Sequence, residues 1–127
     1  MFAKEFKDLI IYNISVQLAK EIFDLTEKIP RNWQIKEADQ IRRSSTSAPA
    51  NISEGFARRF YAKDYIHYLN MALGSSDETQ NHLKSLSYKK YINSMDSDDL
   101  SKRYKNLSVR IVNMINYLRK RDSSEDK

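Results

Sequence analysis

Apolar residues recur at alternating steps of three and four along four separate stretches of this chain, and that spacing constrains the fold most. A three- and four-residue alternation keeps side chains on one face of an α-helix, whereas a half-buried strand needs a period of two. No stretch follows a period of two convincingly. The clearest series are Tyr65, Leu69, Ala72, Ser76, Thr79, Leu83 and Leu86, and further along Leu100, Tyr104, Leu107, Ile111, Met114 and Leu118.

The helices predicted from this spacing are long, because only two glycines and two prolines occur in 127 residues. We expect them over 4–28, ended by Pro30, then over 32–59, 64–88, and from a cap at Asp96 or Ser97 onward. Short links between such helices favour an all-α, antiparallel up-down-up-down four-helix bundle. Residues 1–120 then form one domain, and the polar tail 121–127 is expected to fray.

Pro49 lies inside the second predicted helix. A proline there removes a backbone hydrogen bond and is expected to kink the helix near Ser45. The competing interpretation is that one helix ends at the proline and another begins. A kinked continuous helix is favoured because the apolar spacing stays in phase across Pro49. The hydroxyls just before it, at Ser44 to Ser47, can bond back to freed carbonyls.

The first predicted helix carries two adjacent apolar series, a wider face than a bundle helix needs. One explanation is that the surplus wraps deeper into its own core. The other, which we favour, is that it contacts another subunit, so the sequence predicts a homo-oligomer. The candidate interface residues are Ile11, Ile14, Leu18 and Leu25.

The formal net charge is +5, and residues 102–121 contain seven basic residues and no acidic one. Such a one-signed stretch can meet phosphate, although it can equally be a solvated helix face. Because tyrosine and phenylalanine fall in the core stripes, no surface for base stacking is expected, and binding would be phosphate-driven. The candidate nucleic-acid contacts are Arg42, Arg43, Arg58, Arg59, Lys102, Arg103, Lys105 and Arg110.

Several classes of function find no support in these residues. The chain has no cysteine for thiolate metal sites, and His67 and His82 are too far apart to share a metal on one helix face. No nucleotide-binding glycine loop and no nucleophile with its base can be assembled. We therefore expect no enzyme, no metal and no cofactor. Without a signal-peptide pattern or a membrane-length apolar run, the cytoplasm is the expected compartment.

Two motifs resemble a known family. The stretch Q-I-R-R-S-S-T-S-A-P-A-N-I-S-E-G, from Gln40 to Gly55, and the stretch Y-I-H-Y-L-N-M-A-L-G-S, from Tyr65 to Ser75, followed by Glu78, are similar to four-helix-bundle proteins encoded in intervening sequences of bacterial 23S ribosomal RNA genes. The resemblance implies a bundle that assembles into a ring, often a pentamer. It also implies kinship with accessory proteins of diversity-generating retroelements, which bind a reverse transcriptase and nucleic acid.

Two functions of different classes therefore remain open at the level of sequence. One is a nucleic-acid-binding module whose oligomer multiplies a modest basic face. The other is a protein–protein scaffold, for example an accessory subunit of a reverse transcriptase, whose charge only keeps it in solution.

Overall fold

A computed structural model describes residues 9–30 and 36–125 of the chain, with side chains as far as Asp122. These residues form four α-helices, α1 (Ile10–Glu27), α2 (Lys36–Ala57), α3 (Ala62–Tyr88) and α4 (Ser94–Glu125). The described residues contain no strand. The predicted all-α class and the four helices are thereby confirmed.

Each helix packs against the neighbours that a bundle requires. α2 lies closest to α3, α3 next to α4 and α1 next to α2, while α1 meets α4 only sparsely. Within the described helices, the diagonal pairs α1–α3 and α2–α4 do not approach each other. Hydroxyl contacts set the register of α2 and α3: Ser44 Oγ lies 2.8 Å from Thr79 Oγ1, and Ser75 Oγ donates to Ser47 Oγ at 3.0 Å. Since the residue number rises along α2 as it falls along α3, these two helices run in opposite directions.

The core is built from the periodic stripes. Every residue of the α3 series is buried, and in α4 only Met114 of its series is half-exposed. Removing this apolar surface from water is the main stabilising contribution, about 25 cal/mol per Å². The largest fully buried side chains include Tyr65 and Tyr104, with Leu18, Ile22, Ile41, Ile52, Leu69, Leu83, Leu86, Leu107, Ile111 and Leu118.

Pro49 lies inside the continuous helix α2. The interpretation of two helices meeting at the proline is therefore wrong, while the predicted bend stays a prediction. The hydroxyls before Pro49 do bond back to the helix, Ser44 Oγ to the carbonyl of Ile41 and both Ser45 Oγ and Thr46 Oγ1 to that of Arg42. The carbonyl that Pro49 leaves without its amide donor is that of Ser45, so bonding to a freed carbonyl stays a prediction.

The predicted starts of α3 and α4 differ from the structure. α3 begins at Ala62 rather than Asp64. α4 begins at Ser94, and the cap is Asn93, whose Oδ1 accepts a hydrogen bond from the backbone N–H of Asp96 at 2.8 Å. The predicted caps are wrong because Asp96 is already the third residue of the helix and Ser97 Oγ donates to the carbonyl of Leu83.

The last helix extends into the predicted tail. α4 continues to Glu125, and the fraying of the tail stays a prediction. Residues 126–127 lie outside the described part, as do residues 4–8 of the first predicted helix and 32–35 of the second.

The α1 residues predicted to contact another subunit are instead largely buried within this one. Ile11, Leu18 and Leu25 are 8%, 1% and 7% exposed in a single chain, so they belong to the subunit's own core and their assignment to an oligomer interface is corrected. Ile14 is half-buried and packs against that core. The neighbouring series is only partly covered: Phe23 is 50% exposed, Thr26 is buried, and Tyr12, Val16 and Ala19 are half-buried. The homo-oligomer itself stays a prediction.

Gly55 lies where α2 and α3 pack tightly against each other. A Cβ atom at this position would lie 2.9 Å from Cδ1 of Tyr65 and 3.0 Å from Cβ of Tyr68, distances that packed atoms do not tolerate. Gly74, in the middle of α3, has open space where its Cβ would be. The glycine that permits helix contact is thus Gly55.

The turn after α3 uses a non-glycine residue in the left-handed region. Lys90 has a φ of 64°. The N–H of Tyr91 donates to the carbonyl of Leu86 at 2.9 Å, and the N–H of Lys90 donates to that of Ser87 at 3.0 Å. This is the Schellman arrangement, which satisfies the last carbonyls of a helix and usually places glycine where Lys90 stands.

Candidate nucleic-acid interface

Most of the eight basic residues predicted to contact phosphate form ion pairs, hydrogen bonds or cation–π contacts within the subunit, and the others form none with the described residues. Arg42 is engaged between α1 and α2. Its Nε donates to Thr26 Oγ1 at 2.7 Å, its Nη2 lies 3.6 Å from Glu27 Oε1, and its guanidinium carbon is 4.9 Å from the centre of the Phe23 ring. Arg42 therefore joins two helices and covers an exposed aromatic ring.

Arg43 and Arg58 are neutralised within their own helix. Arg43 Nε lies 3.1 Å from Asp39 Oδ2, and Arg58 Nη1 lies 2.6 Å from Glu54 Oε2, both one turn back along α2. Such exposed pairs add little stability, because water screens the two charges. Their effect here is on the surface, because each carboxylate cancels much of the charge that a phosphate would meet.

Arg103 of α4 forms an ion pair with Glu21 of α1. Its Nη1 donates to Glu21 Oε1 at 2.7 Å, its Nη2 pairs with Glu21 Oε2, and Asp99 Oδ2 lies 3.4 Å from Nη1. The hydrogen bond from Arg103 holds the pKa of Glu21 below its ordinary value and raises the pKa of the guanidinium. This two-pronged geometry is the strong form of the arginine–carboxylate contact. Arg103 is therefore a structural residue.

Arg59 lies at the end of the bundle where α2 finishes and α4 passes. Its guanidinium carbon is 4.4 Å from the ring centre of Phe56 and 4.7 Å from that of Phe60. The carbonyl of Arg59 accepts a hydrogen bond from Arg121 Nη2 at 3.4 Å. The turn after α2 and the C-terminal part of α4 thus meet in one subunit, although the predicted α4 residues, 102 to 110, lie further back along that helix.

Lys102 and Lys105 remain free. They line an open groove of about 620 Å³ between α3 and α4, together with Lys84, which is not among the eight predicted contacts. Within the described part of the chain, none of these three ammonium groups has a carboxylate within 4.0 Å. Asp77 lines the same groove and accepts a hydrogen bond from Ser108 Oγ at 3.0 Å. Arg110, the last predicted residue, is exposed and donates through Nε to Asn106 Oδ1.

A sequence signal for Lys84 did exist. On α3, Leu73, Gln80 and Lys84 follow one another at steps of seven and four, beside the core stripe. On α4, the series Lys102, Lys105, Val109 and Val112 follows at steps of three, four and three. Each series marks the helix face next to the core, but only the pairing of α3 with α4 brings the two faces together. We call the groove lined by Lys84, Lys102 and Lys105 the lysine groove.

Aromatic side chains are exposed on this part of the surface, contrary to the expectation that all of them would be confined to the core. Tyr117 is 50% exposed and Phe60 80%. Both line a cavity of about 250 Å³ at the end of the bundle, with Arg59 and Arg121 at its wall. Tyr65 forms another part of that wall, where burial raises the pKa of its phenol to about 12. The sequence could not show this, because Tyr117 lies one residue from the core position Leu118.

The described residues contain neither a metal-binding cluster nor a helix that could span a membrane. Among residues 9–30 and 36–122, no group of three or more histidine or acidic side chains is placed to hold a metal ion. Across the same part of the chain, each helix is too short or too polar to cross a bilayer.

Comparisons with known proteins agree with the fold. The model of the family described as 23S rRNA-intervening sequence protein matches residues 7–114. A crystal structure of a protein with unknown function from the S23 ribosomal protein family of Bacteroides thetaiotaomicron VPI-5482 is 26% identical to this chain. The likeness covers 84% of this chain and 98% of that one, with a TM-score of 0.77. No curated protein matches the sequence.

Proposed function

The chain belongs to the 23S rRNA-intervening sequence protein family, and we propose that it is a non-enzymatic protein that binds RNA or DNA through phosphate contacts. The solved relative is itself of unknown function, so the proposal rests on the surface of this chain. The proposed compartment is the cytoplasm, where either nucleic acid is within reach.

The observation that carries the proposal is the lysine groove. Most basic residues of the two predicted sets are paired with a carboxylate or packed on an aromatic ring, whereas Lys84, Lys102 and Lys105 share one concave surface with no carboxylate partner among the described residues. Unneutralised ammonium groups along a groove are what a phosphate backbone needs. Phosphate contacts fix position without reading bases, so affinity is expected to vary little with sequence.

The experiment removes three charges at the groove and compares them with three charges removed elsewhere. Lys84→Gln, Lys102→Gln and Lys105→Gln are combined in one variant. The matched control combines Lys20→Gln, Lys28→Gln and Lys36→Gln, three exposed lysines on α1, just after it and at the start of α2. Both variants lose the same formal charge, so only the location differs.

Binding of a fluorescent oligonucleotide, measured at about 50 mM salt, should fall at least tenfold in the groove variant and by much less in the control. An equal loss in both would show that net charge alone attracts nucleic acid. If the unmodified protein binds no RNA or DNA at this salt, where phosphate contacts are strongest, the proposal fails.

A protein-binding scaffold is the second candidate function, and exposed apolar side chains favour it. Val109 and Val112 are 53% and 39% exposed within the lysine groove, beside the free ammonium groups. A partner helix of mixed apolar and acidic character would fit that surface. A reverse transcriptase is the example that the family resemblance implies. Binding of a protein partner with no binding of nucleic acid would favour this function.

Self-association is proposed as well, with a pentamer as the expected assembly. Its support on α1 now comes from Ile10, which is 64% exposed, and from Ile14 at the rim of a cavity of about 430 Å³ between α1 and α4. Sedimentation at micromolar concentration should then give a species of about 75 kDa, five subunits of 15.0 kDa. A 15.0 kDa monomer would refute the assembly.

A further inference from the structure

The lysine groove is the first of three depressions that follow one another along α4. Asn113 lines both the lysine groove and a second, open depression, whose other residues include Asn116, Arg119 and Lys120. Tyr117 lines both that second depression and the cavity at the end of the bundle. The shared residues make the three depressions neighbours along the surface of α4, and together we call them the track. From Lys102 to Arg121 it spans about 28 Å, at 1.5 Å per helical residue.

The composition of the track changes along its length. At one end lie the lysines of the groove, in the middle Arg119 and Lys120, and at the other end an aromatic cavity. No acidic residue occurs in the sequence from 102 to 121. Aromatic rings next to a basic groove are typical of surfaces that bind single-stranded nucleic acid, because any base can stack on a ring while phosphates meet the cations.

The end cavity has the size and the walls for one base. Its volume of about 250 Å³ corresponds to about eight water molecules at about 30 Å³ each, which leaves room for one nucleobase. Phe60 and Tyr117 expose their rings at this cavity, and the Arg59 guanidinium lies over Phe56 and Phe60. The wall also holds the Tyr65 hydroxyl and Arg121 Nε, two buried polar groups with no hydrogen-bond partner among the described residues.

We propose that the nucleic acid bound by this chain is single-stranded, with its backbone along the track and one base held against Tyr117 in the end cavity. The inference rests on the proposed function. In a duplex the bases are stacked inside and only phosphates and groove edges face outward, so a duplex would use the lysine groove but leave the cavity empty. At a stacked spacing of 3.4 Å per nucleotide, the track spans about eight nucleotides.

The test compares a 12-nucleotide single strand with the duplex of the same sequence on the full chain. The single strand should bind more tightly. Tyr117→Ala should weaken single-strand binding by roughly 5- to 150-fold, the range that loss of one stacked base gives, and should leave duplex binding unchanged. Tyr117→Phe keeps the ring and should stay within about twofold of the unmodified protein. Tyr88→Ala, which removes an 87% exposed ring at the end of α3, is the control. It should change the affinity for neither the single strand nor the duplex.

Each result separates this inference from the function on which it rests. Equal binding of single strand and duplex, with no effect of Tyr117→Ala, would overturn the single-strand inference and leave phosphate binding intact. Binding of neither would overturn the function itself. Because Tyr117 is half-exposed, its variants should keep their helical circular dichroism. Phe60→Ala, at an 80% exposed position in the turn, is a second and independent test of base binding in the same cavity.

Discussion

Replacing Gly55 by alanine tests how tightly α2 packs against α3. The added methyl would lie 2.9 Å from the Tyr65 ring and 3.0 Å from Cβ of Tyr68. Neither neighbour can yield easily, since Tyr65 is 2% exposed and a Cβ moves only with its backbone. Overpacking of this kind costs about 1–3 kcal/mol, while alanine gains about 1 kcal/mol over glycine in a helix. The expected net effect is a loss of up to about 2 kcal/mol of unfolding free energy.

Gly74→Ala is the matched control for that experiment. It makes the same change in a helix where nothing lies within 4 Å of the new methyl, so it should stabilise by about 1 kcal/mol. The helix-propensity gain cancels between the two variants, and their difference in unfolding free energy, measured in urea, isolates the steric cost. A difference of about 1–3 kcal/mol is expected. If both alanines stabilise equally, α2 and α3 do not approach as closely as described.

Three further predictions concern the helix ends and the ion pair between α1 and α4. Asn93→Ala removes the side-chain cap of α4 and should lower the unfolding free energy by about 1 kcal/mol in a urea titration. Lys90→Gly relieves the left-handed conformation, a strain of about 1–2 kcal/mol, at an entropic cost of about 0.5–1 kcal/mol, so the melting temperature should rise. A fall would contradict the turn geometry. Because Arg103 holds the folded-state pKa of Glu21 below 4.5, the pair's stabilisation is present above that pH and is lost as the pH falls further. Glu21→Gln should remove this part of the acid sensitivity, and an unchanged pH profile would refute it.

Periodicity was enough to predict the buried stripes of α3 and α4, because a core position in a helix depends on local spacing and on little else. Leu69, Leu83 and Leu107 illustrate this, since each is fully buried where the pattern places it. The continuous helix through Pro49 followed from the same spacing.

The partners of charged side chains could not be predicted in that way. Arg103 lies in the acid-free stretch of α4, yet its partner Glu21 lies on α1, 82 residues away in sequence. Arg42 likewise pairs with Glu27 of another helix. Whether a basic residue faces phosphate or a carboxylate depends on which helices are neighbours, and this information lies in the fold rather than in the local pattern.

The width of the α1 stripe was also ambiguous for a physical reason. A broad apolar face can be covered by the chain itself or by a second subunit, and spacing alone does not distinguish the two. In the structure the series through Leu18 turns inward, and the series through Phe23 stays partly outside under Arg42.

The sharpest test of phosphate binding at the lysine groove is the salt dependence of oligonucleotide binding. If Lys84, Lys102 and Lys105 each neutralise one phosphate, the logarithm of the association constant should fall with the logarithm of salt by a slope of about −2 to −3. Between 50 and 200 mM salt the affinity should then drop by about 20- to 40-fold. In the variant with all three lysines changed to glutamine the slope should become shallower by about 2. A slope near zero, or an equal slope in that variant, would contradict phosphate binding at the lysine groove.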